Sequence, residues 1–407
     1  MLSAFSFSCD RSPMSDHAPD SATFPEVSVN RLILSDFRSY PRLDLALAQA
    51  PLVALVGENG AGKTNVLEAL SLLSPGRGLR RAEIAEMARA GGGGGFAFST
   101  ELRTRHGPVQ LGAGHEPDDG PQGRRFRINR APAASARLFA EYVRICWLTP
   151  AMDGLFAGSP GERRRFVDRM VLAVDAEHGG RVAALERALR NRNRLLEERP
   201  ADNAWLNAAE REVAELAVAV AFARRETIER LQALILATRD DSSAFPWAEI
   251  TMEGEIDRLV AGLPSIEAEE SFRRTLHDMR AKDAAAGRTL SGPQTSDLVV
   301  KHGPKQAPAS LCSTGEQKAL LVGLTLAHAS LVRAMSGIAP LVLLDEIAAH
   351  FDPRRRAALF DNLERLGGQV WMTGADPLAF GELEGRAELL SVTPGRIARV
   401  RADRLAP

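Results

Sequence analysis

The segment Gly57-Glu58-Asn59-Gly60-Ala61-Gly62-Lys63-Thr64 has the spacing of a phosphate-binding loop, G-x-x-x-x-G-K-[ST]. Glycines let successive amide N–H groups turn inward onto phosphate oxygens, and a following helix adds the partial positive charge of its N-terminus. In that arrangement Lys63 reaches the β- and γ-phosphates of a nucleoside triphosphate and the Thr64 hydroxyl ligates Mg²⁺, with Asn65 completing the binding stretch. Farther along, Leu341-Val-Leu-Leu runs into Asp345 and Glu346. A carboxylate pair at a strand end suits a magnesium shell (Asp345) and the polarisation of an attacking water (Glu346). A third segment, Ser313-Thr-Gly-Glu-Gln-Lys318, precedes an apolar helical stretch and has the pattern of a capped helix start, Ser313 with Glu316 three residues on. A helix start beside Gly315 is also an anion site.

These groups need elements to hold them. Leu52 to Val56 is a continuous apolar run, the mark of a parallel strand buried on both faces, and residues 65–74 read as the helix behind the loop. Leu341–Leu344 and Gln369–Thr373 read as further strands, and Ala319–Leu331 as a helix. Alternating residues from Val27 and from Leu43 predict strands, as do 96–103 and 124–130, while Gly91–Gly95 predicts a surface turn. Between about 159 and 286 the texture turns helical, with long stretches at 181–198 and 207–238. The expected division is an N-terminal extension over 1–26, disordered or preceding the true start at Met14; a first α/β part over 27–150; a helical lobe over 151–287; and a second α/β part over 288–407.

Bulk composition narrows the function. With 51 Lys or Arg against 52 Asp or Glu in 407 residues, the chain carries a net charge of −1, which argues against a wholly basic nucleic-acid binder but not against a local basic face. Only five of the cations are lysines, an imbalance typical of a GC-rich coding sequence, and Lys63 is the only one before residue 282. A compact ammonium fits among phosphates where a guanidinium fork does not. Cys9, Cys146 and Cys312 lie far apart, which excludes a disulfide scaffold and fits a cytoplasmic protein. No run approaches 18 apolar residues and no signal peptide is evident.

In this order and spacing, five stretches resemble the RecF family of bacterial recombinational DNA repair proteins, within the ABC/SMC-type ATPases. They are Asn30 to Tyr40, Gly57 to Glu68, Gly158 to Asp168, Ser313 to Lys318 and Leu343 to Asp352. The resemblance implies an α/β fold, an ABC-type P-loop ATPase head with a mixed sheet in lobe I and an inserted α-helical lobe II. It implies a slow, DNA-stimulated ATPase in which ATP and Mg²⁺ are sandwiched between two protomers, one P-loop facing Ser313, Gly315 and Gln317 of the other copy. Closing of that homodimer on single- or double-stranded DNA near gaps would help recombinase loading and SOS induction, together with RecO- and RecR-type mediators. Ala349 to Asp352 resembles the D-loop that signals across such a dimer. The chain departs from the family where Gln294 and Thr295 follow Gly292-Pro293 in place of a His-Arg pair, and Thr373 stands where many ABC ATPases have a histidine. No glutamine near Thr149-Pro150 reads as a Q-loop residue, and Arg38 and Tyr40 are candidates for base or ribose contacts.

The motifs alone also fit the ATPase subunit of a transporter, a small-molecule kinase, or a DNA-associated scaffold that binds ATP without hydrolysing it. Arginines at 124–130, 163–165, 181–194 and 354–356 are candidates for DNA phosphate contacts, and the absence of any base-reading motif predicts binding with little sequence preference.

Overall fold

The structure, a computed structural model, describes residues 25–120, 123–198, 203–347 and 351–400. The expected N-terminal extension lies almost wholly outside them.

β1 (Ser28–Phe37) and β2 (Tyr40–Ala46) form a hairpin, followed by β3 (Leu52–Val56) and α1 (Lys63–Ser71). Next come β4 (Phe96–Thr104), β5 (Gly107–His115), β6 (Arg125–Ile128), β7 (Ala131–Ala133) and β8 (Ile145–Leu148). The helical region holds α2 (Pro160–Val174), α3 (His178–Glu197), α4 (Asn203–Ala237), β9 (Ala248–Glu253), α5 (Glu255–Gly262), α6 (Ser265–Asp278) and α7 (Arg280–Ala286). Then follow β10 (Asp297–His302), β11 (Ala307–Pro308), α8 (Thr314–Ser336) and β12 (Leu341–Leu344). α9 (Pro353–Arg365), β13 (Val370–Gly374), β14 (Ala387–Thr393) and β15 (Arg396–Arg399) end the described chain.

Three sheets result. An antiparallel one has the order β2-β1-β4-β5-β6-β7, a mainly parallel one the order β15-β14-β3-β13-β12-β8, and a small one the order β11-β10-β9. The parallel sheet is the centre of the molecule. Leu52, Ala54 and Val56 of β3 enter the core shared with α2, α8 and α9, whereas Val53 and Leu55 enter the core under the antiparallel sheet. β12 divides the same way, Val342 and Leu344 against Leu341 and Leu343. A strand with apolar neighbours on both faces has no polar position to offer, which is why these runs are unbroken. α1 closes one face with Leu67 and Leu70, both fully buried, each stabilising by about 1.5–3 kcal/mol.

Three features depart from the sequence reading. β5 is absent from it, because Gly112 and Gly114 read as loop. In the sheet, a side chain at Gly112 or Gly114 would crowd the Phe98 or Phe96 carbonyl of β4. The stretch expected to be helical contains β9, whose partner β10 lies beyond residue 287, so the small sheet crosses that boundary. α8 has the composition of a membrane-crossing helix, with a hydropathy of 1.4, although no unbroken apolar run predicted it. It is a core helix, its Leu320, Leu321 and Leu324 buried in the main cluster. On it the buried His328 is held neutral, its pKa pushed down to about 4 by burial, and contacts the Met170 carbonyl and Cys146.

Candidate functional site

β13 lies between β3 and β12 in the parallel sheet, with Thr373 in register with Leu55 and Met372 with Leu344. The C-terminal ends of the three strands therefore meet, at the edge where open α/β sheets bind ligands. β3 delivers the phosphate loop, β12 the acids, and β13 places Thr373 between them.

The loop is shaped by close approach. A Cβ on Gly57 would strike the Val392 carbonyl of β14, and the Gly57 N–H donates to the Gly374 carbonyl at 3.3 Å. Gly62 has φ of +109° and sits against Ser39 and Tyr40, so a side chain there would be both strained and crowded. α1 starts at this glycine with no side-chain cap and no acid in its first turn. The Asn65 N–H donates to the Gly62 carbonyl at 3.1 Å, and the amides of Lys63 and Thr64 before it are left for an anion. Lys63 is buried, its ammonium donating to the carbonyls of Gly57 (2.5 Å) and Glu58 (2.9 Å). Burial pushes its pKa down, while Glu346 and Asp345 favour the charged form. Glu58, Asn59 and Gly60 are exposed, and Ala61 is buried.

The two acids are tied into one network. The Thr64 hydroxyl donates to the Asp345 carboxylate at 3.0 and 3.1 Å. Thr373, fully buried, donates its hydroxyl to Asp345 Oδ1 at 2.7 Å and accepts the Glu346 N–H at 2.8 Å. Glu346 has φ of +51°, a left-handed conformation that costs a non-glycine residue about 1–3 kcal/mol, and Thr373 holds it there. Thr373 is the residue that sequence reading did not assign; its only signal is its place at the end of a strand. A hydroxyl and one carboxylate are hard oxygen donors, and no cluster of three His, Cys, Asp or Glu able to hold a metal exists among the described residues. This donor set fits Mg²⁺, which keeps waters and takes phosphate oxygens besides one or two carboxylates.

Tyr40 and Arg38, the candidates for base or ribose contacts, lie against the phosphate loop and α1. The buried Tyr40 donates its hydroxyl to the Gly62 carbonyl at 3.2 Å, and burial raises its pKa. Arg38 clamps the fully buried Glu68 of α1 at 2.6 and 2.8 Å, with Arg80 adding a third bond. Both brace the loop and its helix. Asn65 donates to Ser39 and accepts from Arg80.

At the other motif, Ser313, Thr314 and Gly315 are exposed and the space around Gly315 is open. The Ser313 hydroxyl accepts the Glu316 N–H and the Glu316 carboxylate accepts the Ser313 N–H, a complete capping box. Gln317 turns inward, its amide on the Cys312 carbonyl at 2.8 Å, and Lys318 pairs with Asp153 at 3.2 Å. Of the D-loop stretch, 349 and 350 lie outside the described residues; Phe351 packs on Phe245, and Asp352 caps α9. The segment after Gly292 folds on itself: Gln294 donates to the Ser291 carbonyl, and the Pro293 carbonyl accepts from Arg224.

Several of the arginines expected at a DNA face have partners within the chain. Arg192 is fully buried and bonds Glu210, Asp283, Thr289 and the Leu276 carbonyl, joining α3, α4, α6 and α7. Arg163 clamps Asp297 and Arg164 bonds the Ser296 carbonyl. Arg124 bonds the Gly76 carbonyl and covers Phe126, Arg125 pairs with Glu116 and Asp119, and Arg355 and Arg356 pair with Asp352 and Glu382. Arg81 is different: burial lowers its pKa, and Arg165 and Arg77 lower it further by repulsion.

Residues 31–86 match the AAA domain family. The chain is 51% identical over 372 residues to the DNA replication and repair protein RecF of Mesorhizobium japonicum, covering 91% of this chain and 98% of that protein. It is likewise 51% identical over 373 residues to RecF of Rhizobium meliloti, covering 92% and 99%. Among solved structures, the recombination mediator protein RecF-ATPrS of the RecFOR pathway superposes with a TM-score of 0.80 at 18% identity, over 94% of this chain and 100% of that one. The RecF-ATP structure gives 0.77. These two share the fold, a P-loop ATPase head with an inserted helical lobe.

Proposed function

From the premise that this chain belongs to the RecF family of DNA replication and repair proteins, we propose that it is an ATP-switched DNA clamp of recombinational repair, working in the cytoplasm as a homodimer with RecO- and RecR-type mediators. The observation that carries the reading is the meeting of Thr64, Asp345, Thr373 and Glu346 at the strand ends beside the uncapped start of α1.

The amides of Gly62, Lys63 and Thr64 would hold the phosphates of ATP, and Lys63 would exchange its loop carbonyls for β- and γ-phosphate oxygens. Mg²⁺, when bound through Thr64 and Asp345, neutralises charge on those oxygens. Thr373 fixes the Asp345 carboxylate and the Glu346 backbone together, so that Glu346 can accept a proton from water attacking the γ-phosphate. The exposed Ser313 hydroxyl is shared with Glu316 in its own cap and would turn outward to reach a phosphate of the partner's nucleotide. Leu311, 79% exposed next to this loop, supports an interface there, since a large apolar side chain gains by being covered. Arg81 and Arg165, both exposed and repelling one another, are a group suited to DNA phosphates, which two protomers would double.

The test is dimerisation and DNA retention. Lys63→Ala is expected to abolish ATP-dependent closing on DNA, and Glu346→Gln to hold ATP and trap the dimer. A Lys63→Ala protein that still closes in response to ATP would overturn the reading. Fast turnover by Glu346→Gln would remove Glu346 as the base.

A further inference from the structure

The buried Arg192 sets the rotation of α3. Its guanidinium is held by Glu210 of α4, Asp283 of α7 and the Leu276 carbonyl of α6. At about 100° per residue, Arg187, Arg190 and Arg194 fall within about 60° of one another on the opposite side of the helix. All three are exposed. The row faces outward because its neighbour is locked inward, and at about 1.5 Å of rise per residue it spans about 10 Å.

Nothing along this stretch neutralises the row. Residues 187 to 196 read Arg-Ala-Leu-Arg-Asn-Arg-Asn-Arg-Leu-Leu, without an acid. Arg194 donates to the Asn191 side chain at 3.2 Å, while Arg187 and Arg190 have no hydrogen bond or ion pair among the described residues. Arg181 and Arg192 of the same helix, by contrast, pair with Asp175 and with Glu210 and Asp283. Arg190 has an arginine one turn away on either side, the spacing at which like charges destabilise a helix. Glu186 and Glu197 stand just beyond the two ends of the row.

The row also meets the other free cations. Glu186, next to Arg187, lies within electrostatic reach of Arg81, as does Arg165 of α2. Arg81 follows Arg80, which bonds Asn65 and Glu68 of α1. Five arginines thus run from a segment braced on the phosphate-loop helix, past α2, to the outer face of α3.

We propose that this row carries the DNA face onto the helical lobe, with α3 lying along a duplex and Arg187, Arg190 and Arg194 on its phosphates. The proposal rests on the DNA-clamp reading and assigns the double-stranded part of its substrate. A duplex presents one negative charge per about 1.7 Å of axis, a density that three guanidinia within about 10 Å can match. α3 has no Phe, Tyr or Trp on which the bases of a single strand could stack. Its exposed positions between 187 and 194 are Arg187, Arg190, Asn191 and Arg194, which offer a protein partner no apolar anchor.

The experiment uses the full chain with Mg²⁺ and a slowly hydrolysed ATP analogue. Anisotropy of a fluorescein-labelled duplex of about 30 base pairs, and of the single strand of the same length, is followed over a salt series. Arg187→Ala/Arg190→Ala/Arg194→Ala is expected to weaken duplex binding by at least about tenfold. It should also lower the slope of log affinity against log salt by about two or more, since each lost phosphate contact removes close to one counterion. Single-strand affinity should change by less than about threefold. A control, Arg230→Ala/Arg273→Ala/Arg365→Ala, removes the same charge elsewhere and should bind duplex like the parent. ATP-dependent dimerisation without DNA, read by sedimentation, should be unchanged in both variants. Four results would each overturn the proposal and leave the clamp reading standing: duplex binding that survives the α3 substitutions, an equal loss in the control, an equal loss on single strand, or displacement of the duplex by poly-glutamate at equal charge. A parent chain that binds no DNA would overturn the clamp reading, and the proposal with it.

Discussion

The first turns of α1 and α8 are both glycine-bearing helix starts, and they are built in opposite ways. α1 begins at Gly62 with a positive φ, no side-chain cap and no acid in its first turn. α8 begins at Ser313 and closes its own amides through Glu316, which Lys305 holds at 2.5 Å. Lys305 first, and then Ser313, push the Glu316 pKa down to about 2. A helix start that must take phosphate on its amides can carry no internal carboxylate, because that carboxylate would occupy the same donors. A helix start that presents a hydroxyl to a second molecule has to be ordered before that molecule arrives, and a capping box does this.

The largest effect that separates the two should come from Lys63→Ala. ATP affinity of the isolated chain is expected to fall by at least about 100-fold, while Ser313→Ala leaves it unchanged, both read by titration with a fluorescent ATP analogue. Equal losses in the two variants would erase the distinction between an open and a closed start.

Thr373→Val should lower kcat by about tenfold, near 1.4 kcal/mol, with a smaller change in KM, because Glu346 and Asp345 lose a shared positioning bond. Thr373→Ser should restore most of the rate. A serine variant as slow as the valine one would make packing, not the hydroxyl, the cause.

Ser313→Ala is expected to cost about 1 kcal/mol of stability through the lost cap and to weaken ATP-dependent dimerisation, measured by thermal melts and sedimentation. An unchanged dimer would place the signature loop outside the interface.

The smallest effect concerns pH. The Glu316 carboxyl titrates below its ordinary range in the folded chain, so the cap's contribution is full above the unfolded value, near 4.5, and fades as pH falls toward about 2. A carboxyl NMR titration should show Glu316 ionised throughout pH 7 to 4; a midpoint above 4 would mean that the cap is looser than its geometry.

Much of the site is legible in the residue order because its parts are contiguous. Gly57 to Thr64 must turn between a buried strand and a helix, and Leu341 to Glu346 must run from core to edge, whatever the rest of the chain does. Ser313 and Glu316 are legible as a cap for the same reason, three residues apart on one turn. The helical texture of 159–286 is legible too, although β9 is lost inside it because a six-residue strand between long helices leaves little periodic signal.

Fates decided by distant partners were not legible. Arg192 reads like any arginine on a polar helix, yet Asp283 and Leu276, 91 and 84 residues away, hold it in the interior. Arg38 is held by Glu68 of α1, 30 residues away.

The sequence by itself determined the phosphate loop, the acidic pair, the capped signature and the family to which they belong, since each depends on neighbours along the chain. Only the tertiary structure decided that Thr373 joins Asp345 to Glu346. That follows from the order β3-β13-β12, which is set by how two apolar faces of one sheet are covered, and no spacing in the sequence records it.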